Sequence, residues 1–198
     1  MSEKKKISRI KSNESCPPVK YTALNECCPP VPSSLSLCDC CVSPLQSVLQ
    51  QLVGQTVILP TIADPPNTPF FFLYTIIEVN DFLVTVTGPA GTFVVNISDV
   101  IGVAFSPPGP IINLLPPANS GCECDCRERP YRQLLSTLIG STVYLLVSNG
   151  STATNFTVEQ TGLGIVFGTL VIEMDPEPDL ILKLAISTCK ITAVGQTS

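Results

Sequence analysis

Leu45, Val48, Leu49 and Leu52 recur at spacings of three and four, the period of one helical face. Ser43-Pro44-Leu45-Gln46 before them has the form of a capping box with Pro at the first helical position. Gly54 stands where such a helix ends. A helix of about three turns is predicted. From there the pattern changes to short runs rich in Val, Ile, Thr and Phe, the composition of strands. These runs predict strands at 55–60, 70–79, 82–87, 92–97 and 100–105, with Asn80-Asp81 and Gly88-Pro89-Ala90-Gly91 as turns. The order then repeats. Pro130, Tyr131, Leu134, Leu135, Leu138 and Gly140 predict a second helix, and strands follow at 141–147, 153–160, 163–173, 180–186 and 189–194. Asn149-Gly150 is a hairpin signal, and Asp175-Pro176-Glu177-Pro178-Asp179 reads as a solvated acidic loop.

The two halves are copies of one unit. Cys38-Asp39-Cys40 recurs as Cys124-Asp125-Cys126, an offset of 86. At the same offset Pro44 meets Pro130, Leu49 meets Leu135, Gly54 meets Gly140 and Thr56-Val57 meets Thr142-Val143. Near the ends Ile97-Ser98 matches Ile186-Ser187 at an offset of 89, which implies a net insertion of three residues. One short helix and five short strands per copy suggest a small, strongly bent barrel. The expected fold is therefore mainly β. Two such modules, 43–105 and 129–198, follow a disordered basic and Cys/Pro-rich arm, 1–42, and are joined by a Pro- and Cys-rich linker, 106–128. A single larger β-sandwich built from both halves is the competing architecture.

Charge changes the picture. Only 14% of residues are charged, where globular chains average about 25%. A chain so poor in charge is expected to hide surface by association. The net charge of −5 argues against nucleic acid as a partner, and no apolar run is long enough to span a bilayer. There is no His, which removes the commonest general base and metal ligand and makes Ser-His-Asp and Cys-His catalysis impossible. No enzyme is expected, and no cofactor. Gly162-Leu163-Gly164 and Gly88-Pro89-Ala90-Gly91 are not phosphate loops, because no Lys-Ser or Lys-Thr follows them. Phe70-Phe71-Phe72 reads as a strand core, with an exposed packing patch as the alternative. No Lys or Arg occurs from residue 42 to 121, whereas Arg127, Arg129 and Arg132 cluster in the second copy. Unlike charges on successive modules would guide head-to-tail contact between chains, with a merely solvated patch as the alternative.

Ten cysteines signal an oxidised, cross-linked protein, yet the basic N-terminus leads into no apolar signal segment. C-x-C spacing in extended chain sends the sulfurs to opposite faces, and no C-x-x-C occurs, so disulfides are favoured over metal. Vicinal Cys27-Cys28 and Cys40-Cys41 rarely pair internally and more readily reach two separate partners. Cys16, Cys27, Cys28, Cys38, Cys40, Cys41, Cys122, Cys124 and Cys126 are thus the candidates for intermolecular disulfides. Cys189, placed in the alternating run Ile186–Val194 with Val100 as its repeat counterpart, reads as a buried free thiol.

The helix, the Leu-Val/Ile-Gly-x-Thr-Val turn and the strands ending near Ile-Ser resemble the small Sm-like barrel repeated in spore coat proteins of Bacillus-type bacteria. Cys27-Cys28-Pro29-Pro30 and Cys38-Asp39-Cys40-Cys41 resemble the arms of cysteine-rich coat, exosporium and endospore-appendage proteins. The resemblance implies a structural, self-assembling component of a spore surface layer or appendage. It implies synthesis in the mother cell without a signal peptide, and partners among copies of itself and other spore-surface proteins. A cytosolic metal-thiolate or redox protein and a viral or phage structural subunit are the alternatives.

Overall fold

The structure, a computed structural model, describes residues 39–116 and 128–196. Helix α1 (Asp39–Gln51) precedes strands β1 (Thr56–Leu59), β2 (Phe71–Asn80), β3 (Leu83–Gly88), β4 (Gly91–Asn96) and β5 (Gly102–Phe105). Helix α2 (Glu128–Ser136) precedes β6 (Thr142–Val147), β7 (Thr152–Gly162), β8 (Ile165–Ile172), β9 (Leu180–Ser187) and β10 (Ile191–Gln196). A 3₁₀ turn, Ile97–Asp99 or Thr188–Lys190, precedes the last strand of each copy. Helix α1 starts earlier than the capping box predicts, taking in Asp39–Val42 and leaving Pro44 inside the helix. Proline there costs one early backbone hydrogen bond. Burial of Leu45, Val48, Leu49 and Leu52 along one face outweighs it. On α2 Glu128 and Leu135 are fully buried, and Leu134, expected on the same face as Leu135, is exposed.

The duplication is written in the hydrogen bonds. Gly54 donates to Ile76 and Gly140 to Val158, both at 2.8 Å. The Thr56–Thr75 hydroxyl pair recurs as Thr142–Thr157, both at 3.2 Å. β1 and β2 slip register between Val57 and Leu59, and β6 and β7 slip between Val143 and Leu145. The second bulges match as well, at Ile76/Glu78 and Val158/Gln160. Even an unusual backbone is copied: Leu73 and Asn155 are both left-handed, at φ 58° and 53°. The C-terminal register differs from the expected one. Leu83 pairs with Asn96 and Ile165 with Ser187, so Asn96 corresponds to Ser187 and the offset there is 91. The extra length is the longer β8–β9 hairpin with its Glu173–Asp179 loop, set against the two-residue Pro89-Ala90 loop of the first copy.

All pairings are antiparallel and form one open ten-stranded sheet, ordered β10-β6-β7-β8-β9-β5-β1-β2-β3-β4. Two closed barrels are therefore not what the strands form. In each copy the order is last-first-second-third-fourth, but β5 pairs with β9 of the other copy instead of with its own β4. The cores follow the sheet. Ile165, Phe167 and Ala185 join the cluster under α1, and Ile101 and Ala104 join the cluster of the second copy. The connecting segment is held down too: Gln51 and Asn113 exchange two hydrogen bonds, and Ile112 is buried.

Candidate functional site

The surfaces with the clearest chemical character are the joint between the copies and the two ends of the sheet. At the joint Gly102, Val103, Ala104 and Phe105 pair with Ile186, Ala185, Leu184 and Lys183. Every residue of β5 is buried. The approach is close: a Cβ on Gly102 would lie 2.4 Å from the Ala185 carbonyl oxygen. Phe105 stacks on Phe167 at 6.4 Å between centroids, and the Lys183 ammonium lies 5.9 Å from the Phe167 ring centre. A second tie lies in the loops. Asn149 Nδ2 donates to the Thr61 carbonyl, Asn67 N–H donates to Ser151 Oγ, and Thr152 N–H donates to Asn67 Oδ1. The Asn149-Gly150-Ser151 turn, a hairpin in the sequence reading, is thus also a clasp on the first copy.

Beside the joint, Lys183 Nζ lies 2.7 Å from Glu159 Oε1, and Thr169 donates to the same carboxylate. Burial pushes the Glu159 carboxyl up. The hydrogen bonds from Lys183 and Thr169 and the Lys183 charge outweigh it, so its pKa lies below the ordinary 4.5. The cluster sits on the bulged residue of β7 and spans three strands, which suits a structural clamp.

The sheet ends are different. On β4 Val94 is 64% exposed, whereas its equivalent on β9, Ala185, is 0% exposed in the joint. On β10 Thr192, Ala193 and Gln196 are exposed. Neither Gly-Thr-Phe-Val-Val-Asn nor Ile-Thr-Ala-Val-Gly-Gln contains a charge or a proline. Free edges in monomeric proteins usually carry such protection. Near β4 lies an aromatic cluster. Phe70 and Phe71 each stand 5.5 Å from Phe93, and Tyr74 stands 6.0 Å from it. Of the three adjacent phenylalanines only Phe71 packs on the core; Phe70 and Phe72 are exposed, so the strand-core reading holds for one of them.

The cysteine candidates are mostly beyond this view. Cys16, Cys27, Cys28, Cys38, Cys122, Cys124 and Cys126, with Arg127, lie outside the described residues. Cys40 and Cys41 fall within α1. Cys189 corrects the sequence reading twice: it sits in the 3₁₀ turn rather than in a strand, and it is disulfide-bonded rather than a free thiol. In the observed register its counterpart is Ser98, not Val100.

Among the described residues no group of three His, Cys, Asp or Glu is placed to hold a metal. An open groove of about 420 Å³ runs between residues 111–116 and Glu159-Gln160-Thr161 of β7. The Asp175, Glu177 and Asp179 loop borders a second hollow of about 380 Å³. No described helix is long and apolar enough to cross a membrane. No family model, no curated protein and no solved structure matches the chain.

Proposed function

We propose that the protein is a non-enzymatic structural subunit that self-associates and is cross-linked by disulfides, as a component of a bacterial spore surface layer or appendage. The observation that supports self-association is the pair of uncharged, proline-free sheet edges on β4 and β10. The spore setting rests on the resemblance of the cysteine-rich arm and of the repeated helix-and-strand unit. In this reading each copy is a small bent-barrel unit whose place for β4 against β5 is taken by β9 of the other copy. Among Cys16, Cys27, Cys28, Cys38, Cys40, Cys41, Cys122, Cys124 and Cys126, the ones not bonded to Cys189 carry the links between chains.

The test compares oxidised wild type with a variant in which Cys27, Cys28, Cys38, Cys40 and Cys41 are replaced by Ser, by denaturing electrophoresis with and without reductant. Wild type is expected to give high-mass species that reductant dissolves. The variant is expected to lose them while keeping its β-rich circular dichroism. Unfolding of the variant would instead make these cysteines internal staples and remove the cross-linking reading.

A further inference from the structure

Asn149-Gly150 is the one Asn-Gly pair in the chain. Asparagine before glycine is the pair best suited to self-attack, because glycine has no Cβ to hinder the approach of its nitrogen to the asparagine Cγ. In the turn between β6 and β7 both reacting groups are held. The Gly150 N–H donates to the Val147 carbonyl at 2.9 Å. Asn149 Nδ2, the group that would leave, donates to the Thr61 and Asp64 carbonyls of the first copy at 3.2 and 3.4 Å. Asn149 Oδ1 accepts from the Ser151 N–H at 2.9 Å. The half-buried carboxamide is thus fixed at both its ends, where the two copies meet.

The loop that receives it is braced in its own right. Asp64 is buried; its Oδ2 accepts from the Thr61 N–H at 2.6 Å and its Oδ1 from the Phe70 N–H at 3.1 Å. Asn67 adds two ties to the turn, donating its N–H to Ser151 Oγ at 2.9 Å and accepting the Thr152 N–H on Oδ1 at 3.0 Å. We propose that Asn149 is a self-modifying site gated by the contact between the copies. Closed, the clasp holds it inert. Open, the Gly150 nitrogen bonds to Asn149 Cγ, the Cγ–Nδ2 bond breaks, and Nδ2 leaves as ammonia with the proton given up by Gly150. Water then opens the five-membered imide. Cleavage of the new N–Cγ bond gives aspartate; cleavage of the original peptide bond gives isoaspartate, with the main chain running through the side chain. The net change is one water taken up and one ammonia released, with no oxidant or reductant.

Neither product closes the clasp again. A carboxylate at 149 sets acceptor against acceptor at the Thr61 and Asp64 carbonyls, where the amide donated. No Lys or Arg occurs from residue 42 to 121 to offset the added charge, and both oxygens of the Asp64 carboxylate already serve its own loop. Isoaspartate lengthens the main chain besides, and so displaces Ser151 and Thr152 from Asn67. The turn is therefore a one-way latch that records that the two copies have come apart. Both halves of the clasp belong to one chain, so the inference stands independently of self-association.

The experiment ages the full chain in reductant at mildly alkaline pH, folded in buffer and unfolded in urea. Peptide mapping by mass spectrometry reads the exchange of ammonia for water at Asn149, and isoaspartyl methyltransferase labelling reads the isoaspartate. The folded chain is expected to react at least about a hundredfold more slowly than the unfolded one, because only the locally opened fraction reacts. Asn67→Gly with Ser151→Ala removes two ties while glycine keeps the left-handed backbone of Asn67, at φ 57°. That variant is expected to keep its circular dichroism and to react about tenfold faster when folded. Asn149→Asp supplies the product directly. It is expected to keep the fold while amides 67 and 152 exchange with solvent at least about tenfold faster.

Equal rates in the folded and unfolded chain overturn the proposal, since the clasp then protects nothing. An unchanged rate in the Asn67→Gly, Ser151→Ala variant also overturns it, because protection would then come from the Gly150–Val147 hydrogen bond of the turn and not from the first copy. Undiminished protection of amides 67 and 152 in Asn149→Asp would mean that the modified turn still closes, and the latch fails. Global loss of structure in Asn149→Asp would make the reaction simple damage and sink the idea as well.

Discussion

Tyr74 and Phe156 hold equivalent places in the two copies, each opposite the valine that follows a paired threonine, and the copies diverge around them. In the first, the Pro89-Ala90 loop brings the Ala90 N–H to the Tyr74 hydroxyl at 3.3 Å, and Gly88 leaves room for the ring. In the second, the loop is longer, the residue is Phe, and no hydroxyl needs a partner. The sheet face diverges in the same way. Ile77, Thr87 and Thr92 of the first copy correspond to Glu159, Thr169 and Lys183 of the second, so a threonine pair at 3.0 Å replaces a charged clamp. One backbone thus serves as an inner sheet segment in one copy and as an outer edge in the other. Side chains follow the position in the sheet more than the ancestry of the strand.

The comparison breaks most visibly at the joint. Gly102→Val would drive a side chain into the Ala185 carbonyl and is expected to cost about 3 kcal/mol. Ala193→Val, at the equivalent exposed place on β10, is expected to change monomer stability by less than about 0.5 kcal/mol. Urea unfolding of the two variants under reducing, dilute conditions measures the contrast; equal losses would mean that β5 and β10 are not distinguished by burial.

A smaller effect separates the left-handed residues Leu73 and Asn155. Asparagine tolerates this conformation and leucine does not. Leu73 is 54% exposed, so little apolar burial is lost on replacing it. Leu73→Asn is expected to stabilise by about 1 kcal/mol, and Asn155→Leu to destabilise by a similar amount. Opposite signs in thermal melts sharpen the equivalence of the two bulges, whereas shifts of the same sign would count against it.

The hydroxyl comes next. Tyr74→Phe removes the acceptor for Ala90 and is expected to cost about 1 kcal/mol. Denaturant titration reads it directly, and a neutral result would show that the loop amide finds water instead.

The smallest effect is the clamp's pH dependence. The Glu159 carboxyl is lowered in the folded state, so its contribution is complete above the ordinary carboxylate pKa of 4.5 and is lost as pH falls through the lower folded value. The pair is about a third exposed, so solvent screens much of it. Glu159→Gln should flatten the acid limb of the stability curve, while Ile77→Ala in the first copy should leave its shape unchanged. Identical acid limbs in wild type and Glu159→Gln would place the dependence on other carboxylates.

Much of the unit was legible in the chain. Strand positions came out within about three residues because β-branched runs and turn residues punctuate the chain, and the repeat located the helices through Leu49/Leu135 and Gly54/Gly140. The register of the last two strands was misjudged by two residues, since Ile97-Ser98 and Ile186-Ser187 match by coincidence within a variable hairpin. The start of α1 was missed because Pro44 in a buried helix looks, in sequence, like a first-turn proline. Cys189 was misread because its neighbours alternate like a strand across a 3₁₀ turn.

The sequence by itself determined that there are two like units, each a short helix followed by five short strands. Those features are local: periodicity, caps and turns act over a few residues. Only the tertiary structure decided that the units share one sheet, and that β9 rather than β4 covers β5. Both strands are apolar and carry the same backbone groups, so nothing local chooses between them. The choice falls to packing: Gly102 permits close approach to Ala185, Phe105 meets Phe167, and the Asn149 turn clasps the Thr61 loop.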